Sequence, residues 1–315
     1  MNMYQKLLSY SLLLPVVFLM PAISQAEIYK WIDENGKVHF SDRKLDGVGQ
    51  ETLELDTPTT DWNGFEIAVR TANVELTAKE TKNIVDGVNY VYEFYDRVLY
   101  FDYHKTVPVS ILVLEDRRAY VKYLTDIGRV NSIPSYGVYF SKENQIVVYI
   151  REDREATFRT IRHEVSHAIV HTTMPYAPAW LDEGLAEQME TINRSDRGLY
   201  IEPHLINQRD VAWARSKGKL TDIPEFLKLP SNTWRHSLRD DKQHLQSQSG
   251  QFVYFLLSTP PNRNFVTSLM HKFNQGDRTI SYHLVEDNYI GGVKTLDVSW
   301  SNWVKDQHGG VINLF

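Results

Sequence analysis

A pair of histidines four positions apart is the feature that most constrains this 315-residue chain. His163 and His167 enclose Glu164, and residues four apart lie on one face of an α-helix, so both imidazoles can reach a single ion. The segment from Thr157 to about Thr172 has helical periodicity, with an apolar face opposite the two histidines. That apolar face consists of Phe158, Ile161, Val165, Ala168 and Ile169. We therefore expect a helix with one face packed against the protein and the other turned toward a cleft.

A second predicted helix, from about Trp180 to Glu190, follows a break of two prolines and supplies the next candidate ligand. Catalytic zinc sites use three protein ligands and leave one position for water, and His163, His167 and Glu183 meet that count. We expect Zn2+ to be the cofactor. We expect Glu164 to be the catalytic residue, which takes a proton from the zinc-bound water as it attacks a peptide carbonyl. The same carboxyl can then protonate the leaving amine.

Two further residues near this pair have competing interpretations. Glu187 lies four residues after Glu183, where it can accept a hydrogen bond from the outer nitrogen of a ligand histidine, and a solvated carboxylate is the alternative. His171 lies one more turn along the face that carries His163 and His167. Three ligands on one straight helix cannot converge on a tetrahedral ion, because the outer pair would be about 12 Å apart along the axis. We therefore interpret His171 as a helix-end or cleft-lining residue.

The two motifs together resemble those of the gluzincin clan of metallopeptidases, and in particular the peptidase MA-like group. The matching residues are His163-Glu164-x-x-His167 and Trp180-Leu181-x-Glu183-Gly184-x-Ala186-Glu187, within a similarity that covers roughly residues 64–305. The resemblance implies that Glu183 is the third zinc ligand. It also implies an α+β, zincin-like fold: a mixed sheet with an antiparallel edge strand, an active-site helix and a mostly helical C-terminal half.

Peptidases of this clan also use a tyrosine or histidine, well downstream, to stabilise the oxyanion of the reaction. Related proteins often have a tyrosine before the Gln-Ser that opens the next long helix, and this chain has Gln246 there. Four residues remain as alternatives for the role, each with an ordinary packing or surface role as the competing interpretation. They are His244, Tyr254, Tyr136 and Tyr139.

Helices and strands alternate along the rest of the chain after residue 64. Two of the predicted strands directly precede the histidine helix, and an exposed edge strand beside a cleft can add an extended peptide as one more strand. The predicted strands are Phe65–Leu76, Val107–Leu114, Gly137–Ser141 and Gln145–Ile150. The other predicted helices are Thr77–Tyr100, Gln248–Ser258 and Asn262–Asn274.

The first 26 residues have the composition of a secretory signal peptide. Lys6 is followed by the apolar run from Leu7 to Met20 and by the small-x-small tripeptide Ser24-Gln25-Ala26. A membrane anchor is the competing interpretation, but polar residues and a proline interrupt the run, and it is shorter than a comfortable span of about 20 residues. The chain has no cysteine, which excludes disulfides and lipid attachment to a thiol. We expect a periplasmic or secreted protein with no stable membrane span after cleavage.

A small β module is predicted at residues 27–43, because two alternating segments flank Asn35-Gly36, the strongest short hairpin turn signal. This segment resembles a short N-terminal module of unknown function that is common in secreted Gram-negative proteins. Residues 44–63 show no regular periodicity, so we interpret them as a linker. The metallopeptidase domain is then expected to cover residues 64–315.

The charge of the chain bears on its partners. Removal of Lys6 with the signal changes the net charge from −6 to −7, which gives no electrostatic reason to bind nucleic acid. The expected partner is a peptide or protein substrate, and no motif fixes its identity, endo- or exo-cleavage, or the oligomeric state. One rival is a zinc-binding but catalytically weak protein that holds a peptide or a cell-envelope partner. Another rival is a metal-free scaffold whose function is carried by the N-terminal hairpin module.

Overall fold

The computed structural model describes residues 28–32, 38–41, 51–53, 64–101, 108–230, 234, 245–306 and 309–314. The chain divides into two units, residues 1–61 and residues 62–315. The predicted signal peptide, residues 1–26, lies outside the described residues, and so does the Asn35-Gly36 turn.

The described part of the N-terminal unit is a three-stranded antiparallel sheet. Strand β1 (Ile28–Ile32) pairs with β2 (Val38–Ser41), as the hairpin prediction requires. Strand β3 (Glu51–Leu53) pairs with the other edge of β1, within the segment that we interpreted as a linker. The linker interpretation is wrong at these three residues, because so short a strand shows no measurable alternation. The third strand supplies support that an isolated hairpin lacks.

The larger unit contains a four-stranded mixed sheet. Its strands are β4 (Ala68–Ala72), β5 (Ser110–Leu114), β6 (Gly137–Phe140) and β7 (Gln145–Tyr149). Their order is β4-β5-β7-β6; the first three are parallel, and β6 is antiparallel to β7. The expected mixed sheet with an antiparallel edge strand is therefore confirmed.

Helices cover both faces of this sheet. Successive side chains of a strand point to opposite sides, so each face has its own apolar residues to bury. On one face, Ile111 and Val113 belong to the core that also contains the apolar residues of α1 (Ala78–Glu93) and α3 (Arg154–Thr173). On the other face, Leu114 packs with Tyr120 of α2 (Arg117–Asp126). Because α3 shares the core on the first face, it packs on the sheet that contains the edge strand β6.

The predicted helix Thr77–Tyr100 is α-helical only to Glu93 and continues as a π-helical turn, Phe94–Val98.

The rest of the chain is mostly helical, as expected. Its helices are α4 (Ala179–Glu190), α5 (Leu205–Ser216), α6 (Ile223–Phe226), α7 (Leu245–Leu257), α8 (Pro260–Asn274), α9 (Ser281–Asn288) and α10 (Gly292–Asp306). A small antiparallel sheet interrupts them, formed by β8 (Ile192–Ser195), β9 (Gly198–Ile201) and β10 (Ile312–Asn313). Within the described ranges, no helix has both the length and the apolar character needed to cross a bilayer.

Candidate metal centre

Helix α3 is held by its apolar face and by one buried hydroxyl. Asp153 caps its first turn, where the carboxylate accepts a hydrogen bond of 3.1 Å from the Glu155 backbone N–H. Ser166, inside the His-Glu-x-x-His motif, is fully buried, and its hydroxyl lies 2.6 Å from the hydroxyl of Tyr95 in the π-helical turn. This contact fixes the rotation of α3 about its axis, so that the motif histidines face away from the sheet core.

Helix α4 is held against α7 by a glycine. A β-carbon on Gly184 would lie 2.3 Å from Val253 Cγ2 and 2.8 Å from the Ser249 backbone oxygen, so only glycine allows this approach. The neighbouring Gln188 donates a hydrogen bond of 2.7 Å to the Gly250 carbonyl of α7. Since Gly184 directly follows Glu183, the close packing sets the position of the third candidate ligand.

A buried arginine joins α3 to the end of α4. The Arg162 guanidinium donates to the Met189 carbonyl at 3.2 Å and to the Glu190 carbonyl at 2.8 Å. These carbonyls have no partner inside their own helix, because the last turn of an α-helix leaves its carbonyls free. The arginine therefore caps α4 from the helix that carries the histidines, and it fixes the two helices relative to each other.

The three predicted ligands meet at one point. His163 Nε2 and His167 Nε2 are 3.1 Å apart, and Glu183 Oε2 lies 3.8 Å from the first and 3.9 Å from the second. The point equidistant from these atoms in their plane is about 2.1 Å from each, within the range of about 2.0–2.2 Å for zinc bonds to nitrogen and oxygen. The three side chains are therefore close enough together to hold one metal ion.

The outer nitrogens of both imidazoles face carboxylates. His167 Nδ1 lies 2.8 Å from Asp182 Oδ1, and the other oxygen of Asp182 lies 2.9 Å from His171 Nε2. His163 Nδ1 lies 3.0 Å from Glu190 Oε1 but is not aligned for a hydrogen bond, so this buried atom has no hydrogen-bond partner among the described residues. A proton on each Nδ1 leaves both Nε2 lone pairs directed at the point shared with Glu183. Three acceptors that face one another attract a cation.

The electrostatics of the centre favour positive charge at the histidines. Burial alone would lower the pKa of His167, but Asp182 and Glu183 together outweigh burial and raise that pKa to about 9. Burial likewise opposes the charged form of His163, and Glu190 and Glu187 together raise its pKa well above the ordinary value. Burial raises the pKa of Glu183, against the opposing effect of the two histidines. Each shift reduces the negative charge of a buried, carboxylate-rich pocket.

Glu164 lies between the metal centre and the edge strand. A β-carbon on Gly137, the first residue of β6, would lie 2.7 Å from Thr160 Cγ2 and 3.3 Å from Glu164 Cγ, so the strand passes directly over this part of α3. Glu164 is partly exposed, and the described residues provide it with no hydrogen bond or ion pair. Its carboxylate is therefore unpaired within the described part of the chain.

Glu187 is not the nearest partner of a ligand histidine, although the spacing allowed that role. Its Oε1 lies 3.9 Å from His163 Nδ1, beyond hydrogen-bond distance. Its two oxygens instead accept hydrogen bonds of 2.7 Å from Asn207 Nδ2 and from Gln246 Nε2. The alternative of a solvated carboxylate is wrong, because Glu187 is only 4 % exposed.

The tyrosines proposed for the oxyanion do not converge on the centre. The Tyr254 hydroxyl donates to the Gly310 carbonyl, and the Tyr139 hydroxyl donates to Asn144 Oδ1 at 3.2 Å. Tyr136 is 55 % exposed and stacks with the Arg151 guanidinium, 4.1 Å from the ring centre. The fourth candidate, His244, lies outside the described residues. The three predicted ligands are therefore brought together, whereas the hydroxyls of Tyr254 and Tyr139 are engaged elsewhere.

Three residues of the site were missed by the sequence interpretation: Asp182, Glu190 and His204. Asp182 precedes the ligand Glu183 and contacts both His167 and His171. A signal existed for Glu190, because a residue seven positions after Glu183 returns to the same helix face. No local signal existed for His204, which follows α4 and a β-hairpin and reaches the site only through the fold.

Comparison with known proteins adds one assignment. Residues 16–61 match the family described as "Domain of unknown function (DUF4124)", a segment that includes β1, β2 and β3. This agrees with the expected module of unknown function, at the level of an uncharacterised domain. No curated protein matches the chain. The matched segment includes none of the residues of the candidate metal centre.

Proposed function

We propose that this chain is an exported, zinc-dependent peptidase with a zincin-like fold, of the gluzincin type. The observation that carries the proposal is the convergence of His163 Nε2, His167 Nε2 and Glu183 Oε2 within 3.1 to 3.9 Å of one another. Residues 1–26, with the features of a signal peptide, support export.

The chemistry follows from the groups around that point. Bound zinc lowers the pKa of a coordinated water and polarises a peptide carbonyl. Glu164 accepts a proton from the attacking water as the new carbon–oxygen bond forms, and it returns this proton to the departing amine as the carbon–nitrogen bond breaks. The lack of any partner for Glu164 in the described part of the chain suits a group that must exchange a proton with substrate.

The edge strand supports a peptide as the substrate. The outer edge of β6 carries no strand among the described residues, so an extended chain can pair with it through main-chain hydrogen bonds. Gly137 of β6 lies against Glu164, and the ring of Tyr139 has its centre 6.4 Å from that of His171. A peptide added to β6 would run along the same face of α3 that carries Glu164 and the metal ligands.

The proposal is tested by separating metal binding from hydrolysis. We expect about one zinc per purified chain by elemental mass spectrometry, retained in Glu164→Gln and lost in His163→Ala. Against a fluorogenic peptide library, Glu164→Gln should lose at least about 10²-fold in rate, the usual contribution of a general base. A wild-type protein that takes up no zinc after reconstitution would exclude the peptidase.

A specific observation favours a second candidate. The hydroxyls of Tyr139 and Tyr254 are engaged elsewhere, and Gln246 binds Glu187, so none of these residues is placed to stabilise an oxyanion. The second candidate is a zinc-binding but catalytically weak protein that holds a peptide or a cell-envelope partner. It predicts one zinc per chain, no cleavage of the library by the wild type, and peptide binding that Glu164→Gln leaves unchanged.

A further inference from the structure

Two polar residues, Glu190 and His204, connect His163 to the start of α5. Glu190, the last residue of α4, has Oε1 at 3.0 Å from His163 Nδ1. His204, the residue before α5, has Nε2 at 3.3 Å from the other oxygen of Glu190. Both are largely buried, with side chains 21 % and 13 % exposed. These contacts link α3, the end of α4 and the start of α5.

The tautomer of His204 follows from its second contact. Its Nδ1 accepts a hydrogen bond of 3.3 Å from the Asn207 backbone N–H and so caps the first turn of α5. Since Nδ1 is the acceptor, the ring proton lies on Nε2 in the neutral imidazole, where it can be donated to Glu190. One oxygen of Glu190 is thus occupied by His204, and the other is left for His163.

Glu187 competes for the same role, and its contacts argue against it. It lies one turn earlier in α4 and 3.9 Å from His163 Nδ1. Both of its oxygens already accept hydrogen bonds of 2.7 Å from amide groups of other helices. Glu190 is closer, and Arg162 fixes its backbone by a hydrogen bond of 2.8 Å to its carbonyl.

We propose that Glu190 and His204 are positioning residues for zinc: Glu190 accepts the Nδ1 proton of His163, and His204 holds Glu190 in place. A small rotation of the His163 ring completes the hydrogen bond that the buried Nδ1 lacks. The bond fixes the tautomer in which Nε2 faces the metal, and it makes the imidazole a stronger ligand. This inference rests on the proposed zinc site and adds the assignment of Glu190, rather than Glu187, as the partner of His163.

The experiment compares zinc affinities in three variants of the full-length mature protein. Glu190→Gln removes the charge without changing the size, and Glu187→Gln is the matched change one turn earlier. His204→Asn keeps an effective helix cap but removes the Nε2 donor. Dissociation constants are measured by competition with a chromophoric chelator, and near-ultraviolet circular dichroism checks the fold. The absorption spectrum of Co2+ bound in place of Zn2+ reports the ligand geometry.

We expect Glu190→Gln to weaken zinc binding by about 10- to 100-fold, the usual effect of removing a group that orients a ligand histidine. His204→Asn should weaken it in the same direction by a smaller factor, and both variants should alter the Co2+ spectrum. Glu187→Gln should weaken zinc binding by less than about 10-fold and by less than Glu190→Gln, because Glu187 lies 3.9 Å from His163 Nδ1 and Glu190 lies at 3.0 Å.

Two results would overturn the assignment. One is a folded Glu190→Gln protein, or a folded His204→Asn protein if the first does not fold, with wild-type zinc affinity and an unchanged Co2+ spectrum. The other is a larger loss in Glu187→Gln than in Glu190→Gln. Absence of zinc from the wild type would instead refute the proposed function, and this inference with it, so the two failures are distinguishable.

Discussion

Replacement of Gly184 by alanine tests whether helix packing sets the metal centre. The added β-carbon would lie 2.3 Å from Val253 Cγ2, whereas carbon atoms in contact are about 3.5–4.0 Å apart. The Val253 side chain can rotate away from the added β-carbon. The Ser249 carbonyl, 2.8 Å from the same position, cannot, because it belongs to the backbone of α7. We therefore expect α4 to move away from α7 by about 0.5 Å or more, the shortfall of that contact.

The size of the effect follows from this geometry. Extra carbons in a packed core lower the free energy of unfolding by about 1–3 kcal/mol. Because the Ser249 carbonyl is fixed, the loss in Gly184→Ala should lie near the upper end of that range. For a unit of about 250 residues, a loss of about 3 kcal/mol lowers the Tm by about 6–12 °C. Glu183 moves with its neighbour, and a shift of about 0.5 Å exceeds the tolerance of about 0.2 Å for metal–ligand distances. Zinc affinity should therefore fall about tenfold.

The assay combines differential scanning calorimetry of the metal-free protein with chelator competition for zinc. Gly310→Ala is the control, because a β-carbon there meets nothing within 4 Å, and it should change the free energy of unfolding by at most about 1 kcal/mol. A Gly184→Ala protein with the Tm of the control and wild-type zinc affinity would refute the reasoning.

Two further predictions concern protons and the helix cap. The raised pKa of His167, about 9, means that the metal-free protein keeps this ring protonated well above pH 6.5, so zinc must displace a proton. Zinc affinity measured by chelator competition should therefore rise with pH up to about 9, and an affinity independent of pH above about 7 would contradict this. Arg162→Met removes two hydrogen bonds to the last carbonyls of α4 and should cost about 3 kcal/mol of unfolding free energy in urea denaturation. An unchanged midpoint would contradict it.

The spacing of His163 and His167 is local information, because it depends only on helix geometry within one segment. Glu183 was expected as the third ligand from the resemblance to gluzincins, and its position beside the histidines depends on the packing of α4 at Gly184. The observed helices, Arg154–Thr173 and Ala179–Glu190, begin and end within three residues of the prediction. Apolar periodicity also predicted the four strands of the mixed sheet and the helices α1, α7 and α8, but not α2, α5 or the small sheet of β8, β9 and β10. It did not reveal the π-helical turn or β3, since neither has a distinct pattern at that length.

Which side chains contact the candidate ligands depends on distant parts of the chain, and the sequence alone did not predict these contacts. Glu187 and Glu190 lie four and seven residues after Glu183, so both share its helix face. Asn207 and Gln246, from two other helices, occupy Glu187, while His204 occupies one oxygen of Glu190. The engagement of Tyr254 by the Gly310 carbonyl is equally a property of the tertiary fold. Contacts between distant elements decide these roles, and no spacing rule encodes them.

The charge of the centre explains why protons and zinc should compete for it. Burial raises the pKa of Glu183, and carboxylates outweigh burial to raise the pKa of His163 and of His167, so each group tends to hold a proton. Every such proton offsets negative charge in a pocket from which water is largely excluded. A divalent cation in contact with the same three atoms supplies that positive charge and requires bare lone pairs. Zinc binding must therefore release protons, and calorimetric titration in buffers of different ionisation enthalpy would reveal them. Zinc uptake without proton release would mean that the ion is held by other residues.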